Sequence, residues 1–238
     1  MPAPTETAAS PAASPAQAVT VLTTRALLLD MDGTLVDSSR SVQRVWQRWA
    51  TANGFNDIEA VLRIAHGRQG FATMAELLPD RPMELNHADN ERMLVEEVAD
   101  TEGVVPIPGA PAFLASLADL RHALVTSADD ALTQARMGAA GLEVPAIAVT
   151  AEQVTASKPD PEGFLAGAAR LGVAPADCVV FEDSEAGVAA GLAAGMRVVG
   201  VGASAAAHGA TVTVPDLTAV TVTAAADGTL TVTLTEAS

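Results

Sequence analysis

The chain has 238 residues, and 13 Lys and Arg against 29 Asp and Glu give it a formal net charge of −16. That average field repels phosphate backbones and anionic lipid, which excludes nucleic acid or a charged membrane surface as a general partner. The length suits one large domain, or a core with a smaller insert, and the single cysteine, Cys178, leaves no disulfide within the chain and fits a reducing, cytoplasmic setting.

Residues 1–22 are rich in Ala, Pro, Ser and Thr and lack the basic and apolar regions of a signal peptide, so they are expected as a disordered leader. Ala26–Asp30 reads as a buried strand that runs into Asp-Met-Asp-Gly. Residues 39–105 then carry helical patterns with no convincing strand between them. Val42, Val45, Trp46 and Trp49 form an apolar stripe at helical spacing that Gly54 ends, and the tryptophans read as core. The segment returns through "VVPIPGAP", which reads as a hinge.

From Pro108 the rhythm is regular. Strands are expected at 122–126, 146–150, 178–182, 197–201 and 211–214, with helices near 111–120, 130–140, 161–171 and 184–194. Such alternation predicts an α/β fold: a Rossmann-like parallel sheet core with helices on both faces, from residues 23–38 and 106–218, and an inserted all-helical cap domain at 39–105. Glycines 187, 191 and 195 imitate a membrane helix-pairing motif, but Arg197 and a change to strand pattern split that run, leaving a helix whose small residues let it lie close on a sheet. In residues 219–238 Thr alternates with apolar residues around Asp227-Gly228, a hairpin signal, expected as an edge addition.

Two aspartates one residue apart at the end of an apolar strand repel each other and call for positive charge, a metal or a cation-held phosphate. A calcium loop is disfavoured, because a strand leads straight into Asp-Met-Asp-Gly and no third oxygen ligand precedes the glycine. Thr126, Glu182 and Asp183 also fall at carboxyl ends of expected strands, where open parallel sheets bind ligands. Lys158 is the one lysine in a chain that otherwise uses Arg.

In this order and spacing "DMDGTLVDS", "LVTSA", "SKPDPEGF" and "VVFEDSEAG" resemble the four motifs of the haloacid dehalogenase-like hydrolases, and residues 39–105 resemble their cap. The match spans about residues 25–217 and is closest to the sugar and polyol phosphatases related to β-phosphoglucomutase. The resemblance implies a Mg²⁺-dependent phosphatase acting on a small phosphorylated sugar or polyol through an aspartyl phosphate. Asp30 is then the nucleophile, Asp32 the general acid and base, and Lys158 the charge beside nucleophile and phosphate. Mg²⁺ falls to Asp30, the Asp32 carbonyl and Asp183, with Glu182 nearby. Thr126 and Ser127 would donate to phosphate oxygens, while His66, Gly67 and Arg68 would form a substrate-contacting cap loop, with Arg68 pairing phosphate or sugar hydroxyls.

A phosphomutase is the nearest alternative. Mutases commonly have a histidine where this chain has Val42 and read Gly-Val rather than Gly-Thr in the first motif. Dehalogenase action is disfavoured by Asp32 and Asp183, and an inactive phosphosugar-binding protein would have lost a catalytic group. No nucleic-acid or membrane partner is expected, and the chain is expected as a monomer or weak dimer.

Overall fold

The computed structural model describes residues 18–235, so most of the expected leader lies outside the described residues. Its final part does not, because Val19–Thr24 forms a strand, β1. The chain continues through β2 (Ala26–Leu29), β3 (Val36–Asp37), α1 (Ser39–Ala52), α2 (Ile58–Ala65), α3 (Gly70–Leu77), α4 (Met83–Ala99) and β4 (Val105–Pro106). It then alternates α5 (Ala110–Ser116), β5 (His122–Val125), α6 (Asp130–Ala139), β6 (Ala148–Val149), α7 (Glu162–Leu171), β7 (Cys178–Glu182), α8 (Glu185–Ala193), β8 (Arg197–Val201) and β9 (Val212–Val214). A final hairpin joins β10 (Val220–Ala224) to β11 (Leu230–Thr235).

The central sheet has the order β6-β5-β2-β7-β8-β9, and every pairing in it is parallel. Its strands are apolar on both sides because both faces are covered. Leu27, Leu29, Val179 and Phe181 pack with Phe113, Leu117, Leu132 and Met137 of the α5 and α6 side. The alternate residues Ala26, Leu28, Cys178 and Val180 pack with Phe164, Ala168 and Val188 of α7 and α8. The tight helix-to-sheet contact expected of the small residues is met at Gly191, where a Cβ would lie 2.7 Å from Val198 Cγ2. Among the described residues no helix is long and apolar enough to cross a membrane.

Helices α1–α4 have a core of their own, built on Val45, Trp46, Trp49, Val61, Met74 and Met93. The Trp49 indole also donates to Asp89 Oδ2 at 2.9 Å, which satisfies its one polar atom inside the cap. At the base, β3 pairs antiparallel with β4, Val36 opposite Pro106. This two-strand neck replaces the plain hinge that the sequence suggests.

The hairpin does not extend the edge of the central sheet. It forms a separate sheet of order β1-β11-β10, antiparallel throughout, whose Leu230, Val232 and Leu234 seal the core over the α5 side. That pairing is why residues 19–24 are a strand and not the end of a leader.

Candidate active site

In the central sheet the chain leaves β2 for β5 on one side and later returns to β7 on the other. The connections therefore reverse beside β2, and a crevice opens beyond the carboxyl ends of these strands. Asp30 stands at that point, tied by its amide to Phe181 O at 3.0 Å. It is buried, as are Glu182 and Asp183 at the end of β7.

Lys158 reaches this point from the loop before α7. Its Nζ lies 2.6 Å from Asp30 Oδ1 and 2.8 Å from Glu182 Oε1 and sits 5.0 Å over the Phe164 ring. Burial pulls the ammonium down, but the Asp30 and Glu182 carboxylates outweigh it and hold Lys158 above its ordinary value. Burial raises Asp30 well above the usual carboxylate range, with Lys158 opposing and Glu182 and Asp183 adding to the rise. Three buried carboxylates against Lys158 and the half-exposed His66 leave the pocket short of positive charge.

Asp30, Glu182 and Asp183 each offer an oxygen within 4.8 Å of the others. Their commitments differ. Glu182 Oε2 accepts from the Ser184 amide at 2.7 Å and its hydroxyl at 2.9 Å, while Oε1 accepts from Lys158, so Glu182 braces the lysine and the start of α8. Asp183 Oδ1, in contrast, is buried without a hydrogen-bond partner among the described residues. An orphaned carboxylate oxygen beside a second carboxylate suits a hard divalent cation such as Mg²⁺. Gly33 permits this closeness: it has φ +85°, and a Cβ there would lie 1.8 Å from Asp183 Oδ2.

Asp32 is held by two donors, Ser38 Oγ to Oδ1 at 2.6 Å and Arg136 Nη1 to Oδ2 at 2.8 Å. Arg136, on α6, also donates through Nη2 to Glu97 Oε2 at 3.2 Å on the cap helix α4. Burial raises Glu97 to about 7, with Arg136 opposing. Ser38, Arg136 and Glu97 do not figure in the sequence reading. One signal for them was available: Arg136 falls four residues after Leu132 and beside Met137, on the buried stripe of its helix, where an arginine demands a partner.

The cap loop meets the core at several points, among them the Gln69 amide, which donates to Ser157 Oγ at 2.9 Å. His66 Nε2 lies 2.8 Å from Asp183 Oδ2, and that hydrogen bond, opposed by burial, raises the imidazole to about 9. Ser127 Oγ donates to Gly67 O at 2.9 Å. Gly67 has φ +77°, and a Cβ on it would lie 2.1 Å from Ser184 Oγ.

Three of the expected substrate-contacting residues have protein partners in this structure. Arg68 pairs with Glu76 of the cap rather than standing free for a phosphate. The Thr126 amide is spent on Val149 O at 3.0 Å and its hydroxyl accepts from the Ala128 amide at 3.1 Å, so Thr126 shapes the turn after β5. The Ser127 hydroxyl donates to Gly67 O of the cap loop. A cavity of about 810 Å³ lies between core and cap, lined by Asp30, Asp32, Asp183, Ser127 and residues 66–68 among others. This volume falls in the small-molecule range of roughly 300–1,000 Å³.

A parallel-sheet core with paired aspartates at its switch point, a buried lysine beside them and a helical cap over the crevice defines a capped hydrolase. Residues 24–195 match the model of the haloacid dehalogenase-like hydrolases, and the chain belongs to that family. It is 42% identical over 76% of its length to hexitol phosphatase A of Escherichia coli, covering 84% of that protein. It is 31% identical to glycerol-1-phosphate phosphohydrolase 2 of Saccharomyces cerevisiae, over 76% of this chain and 75% of the yeast one. A crystal structure of β-phosphoglucomutase from Clostridium difficile shares the fold at a TM-score of 0.72 and 21% identity, over 82% of this chain and 92% of the other.

Proposed function

We propose that the protein is a Mg²⁺-dependent phosphomonoesterase for small sugar or polyol phosphates, working through an aspartyl phosphate on Asp30. The observation that carries the reading is the Asp30 carboxylate 2.6 Å from buried Lys158, next to the unpartnered oxygen of Asp183, at the mouth of a cavity sized for a small ester. Its likeness to the hexitol and glycerol-1-phosphate phosphatases points to a short polyol chain as the alcohol.

In this reading an Asp30 oxygen attacks phosphorus as the bond to the substrate oxygen breaks, and Asp32 gives its proton to the departing alkoxide. Water then attacks the phosphorus of the acyl phosphate while Asp32 takes back a proton, which releases inorganic phosphate, frees the Asp30 carboxylate and returns Asp32 to its acid form. Lys158 favours the charged form of Asp30 against the burial that opposes it and offsets repulsion between phosphate and carboxylates. Mg²⁺, held by Asp30, Asp183 and the Asp32 carbonyl, would supply the missing positive charge and polarise the phosphate. Glu182 stands behind these ligands as the anchor of Lys158. Residues 39–105 act as the cap that excludes water while the first bond forms, and His66 and Gly67 seat its loop. The chain works in the cytoplasm, in keeping with its buried lone thiol.

The test is phosphate release from a panel of hexitol, glycerol, hexose and nucleotide phosphates, with Mg²⁺ and with chelator. Wild type is expected to favour a polyol or sugar phosphate and to need the metal, and Asp30→Asn to release nothing. Equal activity in Asp30→Asn, or none from wild type on any ester, would overturn the reading.

A further inference from the structure

We propose that Arg136 is a positioning residue for proton transfer by Asp32, holding Oδ2 fixed so that Oδ1 is the oxygen that carries the proton. The inference rests on the phosphatase reading and adds a residue and an atom assignment to it. Arg136 is buried, its side chain 5% exposed, and it lines the cavity together with Asp32 and Glu97. Desolvating a guanidinium is costly unless its charge is matched. An arginine that merely linked core to cap would need only Glu97. This one spends its shorter bond, 2.8 Å, on Asp32 and its longer, 3.2 Å, on Glu97.

The two oxygens of Asp32 therefore have unequal partners. A serine hydroxyl donates or accepts, so Ser38 Oγ can turn its hydrogen away from Oδ1 and accept from a protonated Oδ1. A guanidinium only donates and does not lose its proton, so Oδ2 remains an acceptor throughout. In the first half-reaction the Oδ1 proton passes to the alcohol oxygen as its bond to phosphorus breaks. In the second, Oδ1 receives a proton from the attacking water as the Asp30–phosphorus bond breaks, and the cycle closes with no net change in Asp32. Glu97 holds the far side of the same guanidinium, so the cap helix α4 takes part in fixing the orientation of Asp32.

The test compares kcat/KM for a polyol phosphate, whose alkoxide needs a proton to leave, with that for p-nitrophenyl phosphate, whose phenolate leaves without one. Asp32→Asn serves as the reference for lost proton transfer. Arg136→Met is expected to follow its pattern, losing about 10²-fold on the polyol phosphate and within about threefold on the aryl ester. Arg136→Lys, which keeps the charge and one of the bonds, should recover part of the selective loss and also serves if Arg136→Met does not fold. Ser38→Ala should cost less than Arg136→Met on the polyol ester. Equal losses on both esters, no loss, or a larger effect at Ser38 would overturn the assignment while leaving the phosphatase reading intact. No phosphate from wild type on either ester would remove both.

Discussion

At the scale of single residues, the site turns on the charge balance around Lys158. Its ammonium touches Asp30 and Glu182, all three side chains being almost without solvent, and among the described residues no other cationic side chain pairs with those two carboxylates. Removing one partner of a buried ion pair costs about 3–5 kcal/mol because the remaining charge is left unmatched. Lys158→Met is therefore expected to lower unfolding free energy by that order in chelator, read by urea denaturation, and to abolish phosphate release. Unchanged stability would mean that the two carboxylates are neutral without the lysine. Both aspartates of the first motif and the acidic pair of β7 were legible in the sequence, since they lie at strand ends whose apolar runs are local patterns, and Lys158 stood out as the one lysine of the chain. Ser38 and Glu97 were not, and Arg136 showed only its place on a buried stripe, because what they do depends on which groups face them once α4 and α6 are packed.

At the scale of elements, the loop between α2 and α3 is built to touch the core. Gly67 has φ +77° and lies where a Cβ would meet Ser184 Oγ at 2.1 Å, a hydroxyl that also caps α8 through the Gly187 amide at 3.0 Å. Any side chain here meets both backbone strain and a buried, committed neighbour. Gly67→Ala is expected to lower kcat/KM by about tenfold or more, at roughly 1.4 kcal/mol per factor of ten, with a much smaller effect on the melting temperature, because the cap keeps its own core. Full activity in this variant would show that the loop need not seat against Ser184. Periodicity made the cap helices and the alternating core readable, since each element carries its own buried stripe. It was silent on β1 and on the β3–β4 neck: β1 finds its partner only at the other end of the chain, and two-residue strands are too short to show a period.

At the scale of the whole molecule, core and cap are joined by a buried charge chain in which Arg136 bridges Asp32 and Glu97. Glu97 stands on the cap side with its ionised form penalised by burial, which Arg136 only partly offsets, so its carboxyl is raised from 4.5 to about 7. The sign follows from linkage. The folded protein binds this proton more tightly than the unfolded chain, so the stability contributed by protonated Glu97 is fully present below about pH 4.5 and is lost as pH rises through 7. Glu97→Gln keeps an acceptor for Arg136 and stays neutral at every pH. It is expected to melt above wild type at pH 8, by the equivalent of up to roughly 3 kcal/mol. The margin should shrink to well under half at pH 5, as wild-type Glu97 takes up its proton. An equal margin at both pH values, or a glutamine variant that melts lower at pH 8, would show that Arg136 fully repays the burial of the carboxylate and that the link between cap and core is a matched ion pair.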